Sequence, residues 1–146
     1  MTADMSEGRF LSTVFCDDVR QEVGNKLSFM GVYGPQLVVP AFPTTIAKLC
    51  FVITARTPVN RPFEALRFRI HKDDSILVEH DMTAGLRDVL TRMQSGPDDD
   101  VLTVIGVLQV FPLALDAPCR LKVRADTEAG ELLGGLLQIA AVAAPD

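Results

Sequence analysis

The chain has no tryptophan, one tyrosine (Tyr33) and two histidines (His71 and His80) among its 146 residues. Proteins that hold single-stranded nucleic acid stack bases on aromatic rings interleaved with basic side chains, and Tyr33 alone makes no such platform. A basic surplus is lacking too. Fourteen Lys and Arg stand against 19 Asp and Glu, a net charge of −5, where phosphate neutralisation demands the opposite balance. Nucleic acid is not an expected partner.

Cysteine is scarce. Cys16, Cys50 and Cys119 are odd in number and widely spaced, with no CxxC pair. This favours buried free thiols in a reducing cytoplasm over a disulfide framework. The histidines show no HxxH or HxH spacing and lie far from the cysteines, so no zinc pattern exists. Asp17-Asp18, Asp73-Asp74 and Asp98-Asp99-Asp100 are acidic clusters, but none sits in the D-x-[DN]-x-[DN]-G loop that cages calcium. No metal and no cofactor is expected.

Catalytic motifs are missing as well. There is no G-x-S-x-G, and Ser28 and Ser75 fall in strand or turn sequence. Cys119 adjoins Arg120, but strand alternation sends neighbours to opposite faces. Gly134-Gly135 lacks the lysine and helix start of a phosphate loop. No catalytic residue is assigned. MTADMSEGRF has no basic stretch leading into an apolar core, and LLGGLLQIAAVAA is too short to span a bilayer. A cytoplasmic protein without a membrane partner is the expectation.

What is present is alternation. Hydrophobic residues make up 48% and charged residues 23%, the balance of a chain that buries a core. In FEALRFRIH, Leu66, Phe68 and Ile70 point one way while Arg67, Arg69 and His71 point the other. CRLKVRAD repeats the scheme, with Leu121, Val123 and Ala125 against Arg120, Lys122 and Arg124. Such strands keep one face on a core and one in water. In AKLCFVITA one face is apolar and the other mixes Lys48 and Thr54 with Cys50 and Val52, which marks a central strand partly covered on both sides. Gly106, inside VLTVIGVLQVF, suggests a bulge or a close backbone approach.

Turn residues punctuate these runs at Gly24-Asn25, Gly34-Pro35, Lys72 to Asp74 and Thr127 to Gly130. One segment breaks the period: Leu86, Val89, Leu90 and Met93 lie on one helical face, with Thr83 as N-cap and Gly96-Pro97 as stop. The pattern predicts one all-β domain over residues 1–146, with flexible tails at 1–8 and 141–146. Its form is an antiparallel β-sandwich, with an immunoglobulin-like topology as one option, and one short crossover helix near 83–94.

The stretch DDVRQEVGNKLSFMGVYG holds five charges in its first ten residues, Asp17, Asp18, Arg20, Glu22 and Lys26. Strand-like sequence on both sides of Gly24-Asn25 reads it as a hairpin whose charges are solvated or locally paired. The order F-C-D-D-V-R-x-E-x-G-x-K-x-S-x-x-G-V-Y-G, Phe15 to Gly34, resembles the N-terminal signature of an uncharacterised bacterial protein family with a domain of unknown function. Phe42 to Arg56 is similar to that family's next strand. The resemblance covers about a third of the chain. It implies a small bacterial cytosolic protein and brings no reaction with it.

Two functional expectations follow. The first is a non-enzymatic protein-interaction or assembly module of the bacterial cytosol. It would bind a protein partner or itself, forming a homo-oligomer, through a sheet edge or face. Two features favour it: the positive mean hydropathy, concentrated in VLTVIGVLQVFPLAL and ELLGGLLQIAAVAA, and the row of Arg67, Arg69, His71, Arg120, Lys122 and Arg124. That row is a basic face only if its two strands are neighbours; its plainer meaning is a solvated face with cross-strand Asp and Glu partners. The alternative is a small-molecule or anion-binding domain, or an enzyme, with its site in loops at one end of the sandwich. Asp17, Asp18, Arg20 and Glu22 are its candidate residues.

Overall fold

The computed structural model describes residues 8–86 and 100–142. Among them eleven strands alternate with tight turns. They are β1 (Phe10–Glu22), β2 (Lys26–Val32), β3 (Gln36–Val39), β4 (Thr44–Ile46), β5 (Leu49–Pro58), β6 (Leu66–Lys72), β7 (Ser75–Asp81), β8 (Val101–Val110), β9 (Leu113–Leu115), β10 (Cys119–Thr127) and β11 (Gly130–Ala141). The turns use the residues the backbone demands. Gly24 and Asn25 take positive φ (90° and 60°) between β1 and β2, and Asp73 does so (53°) between β6 and β7.

One sheet has the order β2-β1-β5-β8, with every neighbouring pair antiparallel. The other runs β3-β11-β10-β6-β7, antiparallel except where β3 lies parallel to β11. A short third pair, β4-β9, stands apart. Within this sandwich, β1-β5-β8 and β11-β10-β6-β7 follow the A-B-E and G-F-C-C′ order of an immunoglobulin-type Greek key. The strand β2 is added outside β1.

The core is built by the inward half of each alternation. Phe51 and Ile53 from β5, Phe68 and Ile70 from β6, and Leu121 and Val123 from β10 are all buried, and Phe15 meets Phe51 edge to face with ring centroids 5.8 Å apart. Gly106 is a point of close approach, not a bulge: a Cβ there would lie 2.5 Å from the Phe68 ring, and the β5–β8 register runs through it unbroken. The bulge lies instead in β11, where Gly134 and Gly135 together oppose Val123. As expected, β5 is central, and its burial on the second face is more complete than the mixed sequence there suggests. Cys50 and Val52 join Cys16 in a second cluster on the outer side of its sheet.

Two expectations are corrected. Residues Thr83–Gly85 form one turn of 3-10 helix that leads into buried Leu86, and the remainder of the predicted helix lies outside the described residues. Thr83 is not an N-cap. Its hydroxyl accepts the Leu66 backbone N–H (3.1 Å), while its own N–H donates to Asp81 (2.9 Å). At the C-terminus Ala141 is no tail but pairs with Val39, and the Val142 N–H donates to the Val39 carbonyl.

Candidate interaction surfaces

Strand order decides whether the basic rows meet, and they do: β6 and β10 are neighbours, with Arg69 opposite Arg124 and His71 opposite Lys122. The resulting face is not purely basic. Arg69 bonds both Asp126 (2.7 Å) and Glu131 (2.8 Å), Arg124 bonds Glu131 (3.1 Å), and Arg67 reaches Asp81 (3.5 Å). The Asp81 carboxyl is held below its ordinary value chiefly by the Thr83 side chain and backbone N–H, with Arg67 adding to it. Like charges facing across β6 and β10 are thus offset by acids one pair further along, the ordinary way an exposed sheet carries arginine. Lys122, by contrast, has no ion-pair partner among the described residues. Beside it the β11 bulge turns Leu133 and Leu136 outward around a shallow hollow of about 310 Å³, floored by Gly135. His71 and His80 do not converge, for Arg69 and His71 share the outer face while His80 pairs with core-facing Phe68. Among the described residues no three His, Cys, Asp or Glu are placed to hold a metal ion.

The acidic stretch is placed differently from the alternative reading. Asp17, Asp18, Arg20 and Glu22 all lie within β1, not in a loop, and alternation divides Asp17 from the other three. Asp17 folds its carboxylate across Gly31, where a Cβ would collide with it, and accepts the Tyr33 hydroxyl. Burial, and then this hydrogen bond to Asp17, push the Tyr33 hydroxyl up to about 12. Asp18 pairs with Lys48 (2.7 Å), which holds the Asp18 carboxyl below its usual range. Two of the four candidates are therefore tied to structural partners, and the set does not converge on one pocket.

What these residues build is a ribbon. Pairing between β1 and β5 ends at Cys16↔Cys50, whereas pairing between β1 and β2 continues to Glu22↔Lys26. Residues beyond Cys16 therefore run past the β5 ladder for about 20 Å, with β2 as their only hydrogen-bonded strand partner among the described residues. Val23, Leu27, Phe29, Met30 and Val32, between 38% and 93% exposed, stand on this ribbon without cover. A two-stranded ribbon is marginal in water unless a third strand or a packed face supports it. Among the described residues no strand pairs with the outer edge of β2, which carries no proline and a single charge, Lys26. By comparison, β7 protects its edge with Glu79, His80, Asp81 and a register irregularity.

Arg9 went unnoticed in sequence because a lone arginine before a strand reads as surface. It is buried and uses its whole guanidinium. Nε donates to Thr57 Oγ1 (3.0 Å), the two terminal nitrogens grip Glu128 (2.5 and 3.2 Å), and the carbonyls of Arg61 and Pro62 accept at 3.2 Å. The ring of Phe63 lies 4.6 Å beneath. Burial pushes the Glu128 carboxyl up, but Arg9 and the Glu64 backbone N–H outweigh it and hold the group below the ordinary glutamate range. The cluster clasps the start of β1 to the β10–β11 turn.

Neither the protein-family models, nor the curated proteins, nor the solved structures contain a match to this chain. Among the described residues, no helix is long and apolar enough to cross a membrane.

Proposed function

We propose that this protein is a non-enzymatic interaction module of the bacterial cytosol that docks a protein partner along the β1–β2 ribbon. The observation that carries the reading is the ribbon itself, which leaves the sandwich with a bare backbone edge and uncovered apolar side chains. Backbone groups on such an edge seek a strand, and the apolar side chains around it supply the area that makes pairing favourable. The sequence residues first suspected as a loop-end site fit this role better than chemistry. Asp17 and Asp18 brace the base of the ribbon through Tyr33 and Lys48. The paired state of Arg67, Arg69 and Arg124 gives less support to docking through the basic face.

The test places a photo-crosslinking amino acid at Phe29 on the ribbon, or at Glu79 on the opposite sheet, in living cells. The expected result is a discrete protein adduct from position 29 and none from position 79. A folded protein that gives no adduct at 29, or one only at 79, overturns the proposal.

A further inference from the structure

We infer that the partner of the ribbon is a second copy of this chain, joined edge to edge through β2 about a two-fold axis at Phe29. The inference rests on the docking role of the ribbon and names its occupant.

The register follows from the ladder. The Tyr33 N–H donates to the Phe15 carbonyl, so alternation makes 17/31, 19/29 and 21/27 the hydrogen-bonded pairs of β1 and β2. The backbone groups of Lys26, Ser28, Met30 and Val32 then point away from β1, toward the open edge. An antiparallel copy centred on Phe29 sets Ser28 opposite Met30 of the second copy and Lys26 opposite its Val32. Every outward donor and acceptor meets another. Phe29 faces Phe29 of the second copy at a pair that makes no hydrogen bonds, the closest cross-strand position, and the two rings share a face. Leu27 comes opposite Gly31, over which the Asp17 carboxylate folds.

Charge and stability argue for the same occupant. The chain carries −5 overall, yet the ribbon is neutral: Asp17, Asp18 and Glu22 are balanced by Arg20, Lys26 and by Lys48 on Asp18. Two copies therefore meet there without adding local like-charge repulsion to that of their net charge. In this register no like charges oppose each other, whereas a pairing centred on Lys26 would set lysine against lysine. Each ribbon alone is two-stranded and marginal. Joined, they form four strands within a continuous eight-stranded sheet, so one contact repairs the same deficiency in both copies.

Sedimentation velocity and light scattering on the full chain at roughly 100 µM, a hundredfold above a micromolar Kd, decide the matter. The expected mass is twice 15.9 kDa. Ser28→Pro removes an outward N–H without touching the β1 ladder, and is expected to weaken association at least tenfold, while Ser28→Ala leaves it intact. In a second readout, Phe29→Cys forms an intermolecular disulfide under mild oxidation and Gln21→Cys does not. A monomeric wild type at that concentration overturns the second copy. If such a monomer still gives a hetero-adduct at position 29 in cells, the docking reading survives; with no adduct either, both fall. A dimer indifferent to Ser28→Pro and not crosslinked through Phe29→Cys overturns the β2 interface.

Discussion

Replacing Arg9 by methionine tests the clasp that ties the start of β1 into the sandwich. Arg9 is almost wholly buried, with its side chain 1% exposed, and its loss removes a bidentate ion pair and the donor to the Pro62 carbonyl, while the Arg61 carbonyl keeps the Thr57 hydroxyl. Breaking one side of a buried pair costs about 3–5 kcal/mol because the other charge stays behind unpaired. Glu128 keeps the Glu64 N–H (2.6 Å) and some water contact, which places Arg9→Met near the lower end, about 3 kcal/mol. That is a large fraction of the roughly 5–15 kcal/mol by which a domain is stable. Glu128→Gln leaves a buried guanidinium facing a neutral amide and costs a similar amount. The double variant leaves no stranded charge, so its cost falls short of the sum by about 2 kcal/mol. With no tryptophan, urea unfolding is followed by far-ultraviolet circular dichroism. The acid dependence has a definite sign. The Glu128 carboxyl is depressed in the folded state, so its contribution is present above the unfolded glutamate value, about pH 4.5, and is lost as pH falls through the folded one. The gap between wild type and Arg9→Met is therefore expected to narrow below about pH 4.5. An Arg9→Met penalty under about 1 kcal/mol, or an additive cycle, would refute the argument.

Two further outcomes are expected. Tyr33 is the only tyrosine, so absorbance at alkaline pH reports its ionisation directly; the midpoint is expected near 12 and falls in Asp17→Asn, though not to the ordinary value, since burial is the larger cause. The folded value is the raised one, so this contribution to stability is complete below the unfolded tyrosine value and disappears as pH climbs through the folded one. The three thiols are buried, with burial pushing Cys16 up to about 11 and Cys50 and Cys119 upward as well. An aromatic disulfide reagent at neutral pH is expected to label none in the native protein and three after unfolding; prompt native labelling would contradict the packing around them.

Much of the fold was legible because strand alternation is local. The inward residues of β6 and β10 could be assigned from their neighbours two positions away, and Gly24-Asn25, Asp73 and Thr127 to Gly130 announced their turns. The helix at 83–94 was a weaker inference. Its apolar spacing is real, but the described part is one 3-10 turn held by the Thr83 hydroxyl, which bonds Leu66, 17 residues away. Arg9 was illegible for the same reason: its partner Glu128 is 119 positions distant, and no local pattern distinguishes it from a surface arginine.

The sequence by itself determined which side chains share a face, since the two-residue period of a strand is set by backbone sterics within a few residues. It also determined that the chain carries net negative charge and no recognisable catalytic or metal-binding motif. Only the tertiary structure decided adjacency. It set β6 beside β10, where the basic rows meet and Arg67, Arg69 and Arg124 are paired with Asp81, Asp126 and Glu131. It ended β1–β5 pairing at Cys16, so that a charged hairpin became an unsupported ribbon. Facing is a local consequence of backbone geometry, but which strands become neighbours depends on contacts between residues far apart in the chain.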